Sequence, residues 1–230
     1  MFEMNETGLR QAAAEMAATV KPRLRGVLHQ AAFMISLVTG TAIVITAEGV
    51  RATAAATVYA VSVALLFGTS AAYHRGAWSP PVRAVLRRLD HSMIFVLIAG
   101  TYTPFALLAL HGTTRWLILS VVWGGALVGA VARILLPHRS RWLFTTLYLA
   151  LGWIAILILP SLIRGAGAGV VALILLGGLF YTVGAVVYAR QLPDPSPRWF
   201  GFHEVFHALT IAAFAAHCIG ILVALRTATG

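Results

Sequence analysis

The chain has 230 residues, of which 60% are hydrophobic and only 10% are charged. Soluble domains contain about 45–50% apolar and about 25% charged residues, so this composition excludes a water-soluble globular protein and indicates a membrane protein. The net charge of +10 comes from 17 Lys and Arg against 7 Asp and Glu; because the basic residues lie scattered between apolar runs, we interpret them as a topology signal and expect no nucleic-acid partner.

Seven apolar stretches without Asp, Glu, Lys or Arg follow one another along the chain, and each is close to the roughly 20 residues that a membrane-spanning helix needs. The spans predicted from these stretches, some of which extend over charged residues near their ends, cover about residues 26–47, 52–74, 90–110, 115–136, 142–163, 168–190 and 203–225 in chain order. They predict an all-α integral membrane protein, a seven-transmembrane helix bundle over residues 26–225. Residues 1–25 are predicted to form a polar tail that lacks the apolar core of a signal peptide, and residues 226–230 a short outer tail.

Lys and Arg fall unevenly on the two sides of this bundle. The side that holds the N-terminal tail and the connections after spans 2, 4 and 6 carries 13 of them, whereas the other side carries four. We call the first the basic side. Because basic residues accumulate in the cytoplasm, the sequence predicts a cytoplasmic N-terminus and a C-terminus outside.

Polar residues converge on the basic side. His74 ends span 2, Asp90 begins span 3, and His203 and His207 begin span 7. The end of an even span and the beginning of an odd span share one side, so these residues are expected within about two helical turns of the same boundary. Ionisable groups are costly in a membrane and mark functional sites by default.

The spacing of these residues predicts a metal site. His203 and His207 lie one turn apart on one helical face, and His74 can add a third imidazole. Three protein ligands and an open fourth position are typical of catalytic zinc. Ser70, one turn before His74, is expected to hold the bound water or orient a ligand, and Asp90 to serve as a general base or as a carboxylate behind the ligands. The alternatives are interfacial histidines bonded to headgroups or loop carbonyls, and an Asp90 that caps a helix.

The stretch from His203 to His207 also matches the H-E-x-x-H pattern, in which the glutamate is the base of a metalloprotease. Glu204 is therefore a second candidate for a base, with a polar residue facing the membrane boundary as its alternative. His217 lies ten residues beyond His207, about 15 Å deeper, and cannot join the same ligand set. For His29, a hydrogen-bonded packing role is favoured over a place in the site.

Four stretches together resemble the bacterial hemolysin III proteins: Ser70-Ala-Ala-Tyr-His74, Leu89-Asp-His-Ser-Met-Ile-Phe95, Gly100-Thr-Tyr-Thr-Pro-Phe105 and Phe202-His-Glu-Val-Phe-His207. These proteins belong with the progestin and adipoQ receptors, including the adiponectin receptors, and are distantly similar to alkaline ceramidases. The resemblance runs from about Lys21 to Leu225. It implies seven helices with the N-terminus inside, in the inner membrane of a bacterium. It also implies zinc near the cytoplasmic face, held by His74, His203 and His207, with Ser70 and Asp90 holding the zinc-bound water.

Two functions follow from this sequence. The first is a zinc-dependent, ceramidase-like hydrolase of a lipid amide or ester, because zinc polarises a carbonyl and activates water. Its partner would be membrane lipid, with a lipid substrate or ligand that enters from the bilayer. The alternative is a non-enzymatic membrane protein, either cytolysin-like or sensor- and receptor-like, in which zinc only ties two helices together.

Overall fold

A computed structural model describes residues 22–228 of the chain, and in this part it is helical except for short connections. Seven helices are long and apolar enough to cross a membrane. In chain order they are α1 Val27–Thr46, α2 Gly49–Arg75, α3 Pro80–Ala109, α4 Gly112–Leu135, α5 Arg141–Ala166, α6 Ala168–Arg190 and α7 Phe202–Ala228. At 1.5 Å per residue, even the 20 residues of α1 reach about 30 Å, the thickness of the hydrocarbon layer. The predicted multi-pass, seven-helix membrane protein is confirmed.

Large apolar side chains cover the outer surface of the bundle. Val38, Leu127, Val128 and Leu157 expose between 67 and 80% of their surface. An apolar surface of this kind is unfavourable in water but matches lipid tails. The outside of the bundle is therefore built to contact lipid.

Helix α3 is the centre of the bundle. It packs against α2, α4, α5 and α7, while α7 also packs against α6 and α1. The contact between α1 and α7 closes the helices into a ring. This arrangement brings the ends of α1, α2, α3 and α7 on the basic side close to one another.

Helix α3 begins ten residues earlier than the span predicted at residues 90–110. Its first turn contains Pro80 and Pro81. Proline is favoured there because its φ angle is already helical and because its missing N–H would have no partner in the first turn. The arginine-rich turns that follow are also helical, although they precede the apolar interval of the sequence. Asp90 consequently lies inside the helix, and the alternative that it caps the N-terminus is wrong, because Ser79 occupies the N-cap position.

Helix α5 is interrupted in its middle. A 3₁₀ stretch, Trp153–Ile158, separates the α-helical segments Arg141–Gly152 and Leu159–Ala166. The hydroxyl of Tyr102, from α3, fills the break: it donates to the carbonyl oxygen of Gly152 at 2.6 Å and accepts from the N–H of Ala155 at 2.7 Å. Backbone groups that would otherwise lie unpaired inside the membrane are thereby satisfied.

The predicted tail of residues 1–25 falls mostly on residues 1–21, which lie outside the described part of the chain. Its last four residues, 22–25, form what we call the N-terminal strap. The strap follows the loop before α7, because the N–H of Arg23 donates to Arg198 O at 3.0 Å and that of Leu24 to Trp199 O at 3.2 Å. At the other end, the predicted outer tail is partly helical, since α7 continues to Ala228, and residues 229–230 are not described.

Candidate metal centre

Three histidines meet at the basic side of the bundle. His74 lies in the last turn of α2, and His203 and His207 lie in the first two turns of α7. One ring nitrogen from each histidine falls within 4.8 Å of those of the other two, and the Nε2 atoms of His74 and His203 are 3.1 Å apart. His74 and His207 are buried. The structure thus brings together the three residues that the sequence analysis selected as metal ligands.

Ser70 and His29 support this cluster from the side of α1 and α2. The His29 ring is stacked on the ring of His207, with centroids 3.5 Å apart and planes inclined by 11°. Its Nδ1 lies 2.8 Å from the hydroxyl oxygen of Ser70, so the two share a hydrogen bond. Both residues are buried. Ser70 therefore lies where it was expected, and His29 belongs to the site more directly than its predicted packing role suggested.

Asp90 approaches the cluster from α3. Its Oδ2 atom is 3.8 Å from Nε2 of His74 and 4.0 Å from Nδ1 of His91. His91 is held in place by its other bonds: Nδ1–H donates to Arg87 O at 2.6 Å, so Nε2 accepts from the Tyr188 hydroxyl at 2.9 Å. The carboxylate is thus beside the histidines but is not one of the three converging donors.

Glu204, the second candidate for a base, is hydrogen-bonded through both of its carboxylate oxygens. It is fully buried, so it does not face the membrane boundary either. Its Oε1 accepts a hydrogen bond from Nε of Arg25, and its Oε2 accepts from the N–H of Gly201 at 2.9 Å. The second bond is half of a capping box, which stabilises the start of a helix. Both oxygens are thus engaged, and Glu204 is not among the residues that line the cavity described below.

Gly26 permits the close approach between the N-terminal strap and the cluster. It precedes α1 with a φ of 81°, a left-handed conformation that favours glycine. A Cβ atom at this position would overlap the Cβ of His74. The backbone at the start of α1 therefore lies directly against one of the candidate ligands.

An elongated cavity extends from the cluster into the bundle. It contains about 1480 Å³ of space free of protein atoms, including the open solvent at its mouth. Its lining is mostly apolar. At one end are Ser70, Asp90, His203 and His207, and at the other is His217. The 14 residues between His203 and His217 correspond to about 21 Å along α7, most of the roughly 30 Å hydrocarbon layer.

His217 is separate from the metal cluster, as expected from its spacing. Its Nε2 donates to the carbonyl oxygen of Ile174 at 3.1 Å, and its ring packs beside that of Tyr181. It forms part of the deep end of the cavity.

From the sequence, only a packing role was predicted for His29, and no role in the site was predicted for Tyr102 or His91. A usable signal existed for His29, because it lies three residues after Gly26 and therefore near the same boundary as His207. No signal indicated which way its ring would point. The place of Tyr102 depends on the break in α5, which the sequence analysis did not foresee.

Comparisons with known proteins agree with this architecture. The profile of the family described as "Haemolysin-III related" matches residues 17–218, a range that includes all three histidines. A protein of Bacillus subtilis (strain 168) named "Hemolysin-3 homolog" is 35% identical over 161 residues, which cover 70% of this chain and 72% of the relative. A "Hemolysin-3" of Bacillus cereus is 36% identical over 149 residues, which cover 64% of this chain and 68% of the relative.

Proposed function

Since the chain belongs to the hemolysin III family of multi-pass membrane proteins, we propose that it is a zinc-dependent hydrolase of a lipid amide or ester. One observation carries the proposal: three histidines from α2 and α7 converge at the head of a long apolar cavity, with Asp90 and Ser70 on its wall. The site would thus combine a metal, a carboxylate and a space for hydrocarbon.

The donor set fits zinc. Imidazole nitrogens are common zinc ligands, and three protein ligands are typical of catalytic sites. Tetrahedral Zn–N bonds of about 2.0–2.1 Å place two ligand nitrogens about 3.3 Å apart, close to the 3.1 Å between His74 and His203. Among the described residues, Nδ1 of His207 is buried without a hydrogen-bond partner. Such a nitrogen carries a desolvation cost that a ligand would offset.

When bound, zinc supplies Lewis-acid polarisation of a carbonyl group and makes water a stronger acid. Asp90 then acts as the general base that accepts the proton of the attacking water, since its carboxylate lies 3.8 Å from the ring of His74. Ser70 offers a hydroxyl group on the same wall of the cavity. Its bond to His29 fixes the position of that hydroxyl next to His207.

The cavity favours a lipid as the substrate. Asp90, His203 and His207 lie at one end of it, while the rest of the lining, over about 21 Å, is mostly apolar with scattered hydroxyl groups and His217. A hydrocarbon chain can lie in the deep part while the scissile carbonyl stays beside Asp90. The resemblance to alkaline ceramidases favours a lipid amide as the first compound to assay.

A second candidate function is a non-enzymatic, cytolysin-like or sensory membrane protein in which zinc is structural. The names of the two relatives favour lysis. The direct contact between His74 of α2 and His203 of α7 is compatible with a metal that only joins these helices.

The decisive experiment measures zinc content and lipid turnover on the same purified sample. Wild type is compared with Asp90→Asn, and Asp194→Asn serves as a control because Asp194 bonds Phe202 N–H at the start of α7, outside the cavity. We expect Asp90→Asn to keep its zinc and to hydrolyse a short-chain ceramide about 10²–10⁴-fold more slowly, the usual effect of losing a general base.

Two results would contradict the hydrolase. Loss of both metal and activity in Asp90→Asn would make Asp90 a structural residue. If wild type with one zinc per chain hydrolyses neither lipid amides nor esters, the non-enzymatic function is favoured.

A further inference from the structure

Two arginines, Arg88 of α3 and Arg133 of α4, lie at the corner between α3, α4 and α5 on the basic side. Ser92 of α3 donates hydrogen bonds to Arg88 O at 2.8 Å and to Ala130 O of α4 at 3.3 Å. The two helices run in opposite directions, so Arg88, one turn before Ser92, and Arg133, about one turn after Ala130, extend toward the same side. The two guanidinium groups therefore occupy the same corner.

Neither guanidinium group forms an ion pair within residues 22–228, although Arg133 interacts electrostatically with Asp90 at longer range. Nε of Arg88 and Nε of Arg133 are both buried and have no hydrogen-bond partner there. Arg133 lies 4.6 Å from the centroid of the Phe144 ring, and its NH1 makes a long 3.4 Å bond to Pro137 O. None of the carboxylates in this part of the chain forms an ion pair with either arginine; these are Glu48, Asp90, Asp194 and Glu204. Buried donor atoms without partners are costly, so an anion that accepts from these two Nε–H groups would stabilise this corner.

The surroundings strengthen the positive potential. Exposed arginines adjoin the corner along the chain, namely Arg87, Arg139 and Arg141. Helix α5 begins here after Ser140, and the N-terminus of a helix attracts anions through its free N–H groups and its dipole.

The corner also faces lipid. Trp142 is 51% exposed and Leu135 is 71% exposed, and tryptophan is enriched at the level of the lipid headgroups. A ligand that satisfies both features has an anionic head and an apolar tail.

We propose that Arg88 and Arg133 bind the phosphate group of an anionic phospholipid of the basic-side leaflet. Arginine binds phosphate through charge-assisted, often bidentate hydrogen bonds, and basic pockets between transmembrane helices are suited to acidic headgroups. This site uses none of the three clustered histidines and does not depend on the proposed hydrolase, although Arg133 also interacts electrostatically with Asp90 and His91. Its ligand is held at the protein surface and is not a substrate.

Native mass spectrometry of the detergent-solubilised protein tests the site, with phosphatidylglycerol and phosphatidylcholine as probes. We expect wild type to retain one phosphatidylglycerol per chain in preference to phosphatidylcholine. The double variant Arg88→Gln/Arg133→Gln should bind it at least about tenfold more weakly, because two charge-assisted contacts are removed. Arg190→Gln, which removes an exposed charge at the end of α6 on the same side, is the control and should bind like wild type.

Two further measurements keep the test decisive. The pair Arg88→Lys/Arg133→Lys preserves the charge but not the bidentate geometry, so binding should fall between wild type and the glutamine variant. Inorganic phosphate added alone should not raise the unfolding temperature, whereas phosphatidylglycerol should.

Equal lipid retention by wild type and the glutamine variant would overturn the proposal, as would equal retention of the two lipids. Stabilisation by inorganic phosphate to the same extent would assign the site to a free anion instead.

Discussion

The ring of His29 lies flat on the ring of His207, with centroids 3.5 Å apart. The same imidazole is hydrogen-bonded to Ser70. One side chain of α1 therefore fixes both a candidate metal ligand of α7 and the hydroxyl group that was predicted to assist it. Helix α1 contributes no ligand to the cluster, yet it determines how the cluster is oriented.

Substitutions of His29 should show whether this residue only orients the cluster or also binds the metal. His29→Phe retains a stacked ring but loses the bond to Ser70, and His29→Ala loses both. We expect both variants to keep zinc, and His29→Ala to lower the free energy of unfolding by about 2 kcal/mol or more, as for other truncated buried side chains. Thermal unfolding and elemental analysis on the same samples provide the measurement. If His29→Ala emptied the site completely, His29 would have to be counted as a ligand.

Replacing each histidine of the cluster should remove the metal. Wild type should contain about one zinc ion per chain, and His74→Ala, His203→Ala and His207→Ala should each contain almost none. The unfolding temperature should fall as well, because the ion would link α2 to α7. His217→Ala, on the same helix but outside the cluster, is the matched control. Unchanged zinc content in the three variants would refute the site.

Glu204 should prove important for stability and unimportant for the chemical step. Removing one partner of a buried ion pair costs about 3–5 kcal/mol, so Glu204→Ala and Arg25→Ala should both be strongly destabilised. A double-mutant cycle between the two residues should show coupling. Glu204→Gln should retain full turnover per folded, zinc-loaded molecule. If Glu204 were the general base, Glu204→Gln would instead preserve stability and lose turnover.

Gly26→Ala should disturb the cluster through the backbone. The new methyl group would overlap His74, in addition to the roughly 1–2 kcal/mol cost of a left-handed backbone. Gly49→Ala is a close control, since Gly49 has the same φ of 81° but no described atom lies within 4 Å of the added Cβ. We expect reduced zinc content and a larger loss of unfolding temperature only at position 26. Equal effects at both positions would show that His74 tolerates the contact.

The distribution of Lys and Arg predicts that the basic side is cytoplasmic. A reporter fused after Gly230 should therefore be active when it is alkaline phosphatase, which requires export, and silent when it is a cytoplasm-dependent fluorescent protein. The reverse pattern would mean that the orientation is inverted.

The seven helices could be predicted because charged side chains are energetically unfavourable in hydrocarbon. The uncharged intervals of the sequence therefore mark the membrane-spanning segments. The same alternation of sides predicts that His74, Asp90, His203 and His207 lie at one boundary. This alternation determines how deep in the membrane a residue lies, but not in which direction its side chain points around the helix axis. The positions of His29 and Glu204 depend on that rotation, and the bond between Glu204 and Arg25 joins residues 179 positions apart. The early start of α3 depends on two prolines that a count of apolar residues ignores.

The ring of helices closed by α1 and α7 has a consequence for biosynthesis. Two of the three clustered histidines, His203 and His207, belong to the seventh helix, and the Glu204 carboxylate that anchors this helix reaches back to Arg25. A nascent chain with six helices in the membrane thus contains His74 and His29 but neither His203 nor His207. The three-nitrogen cluster can form only after the seventh helix has been inserted, so loading of a metal would be coupled to completion of the polypeptide.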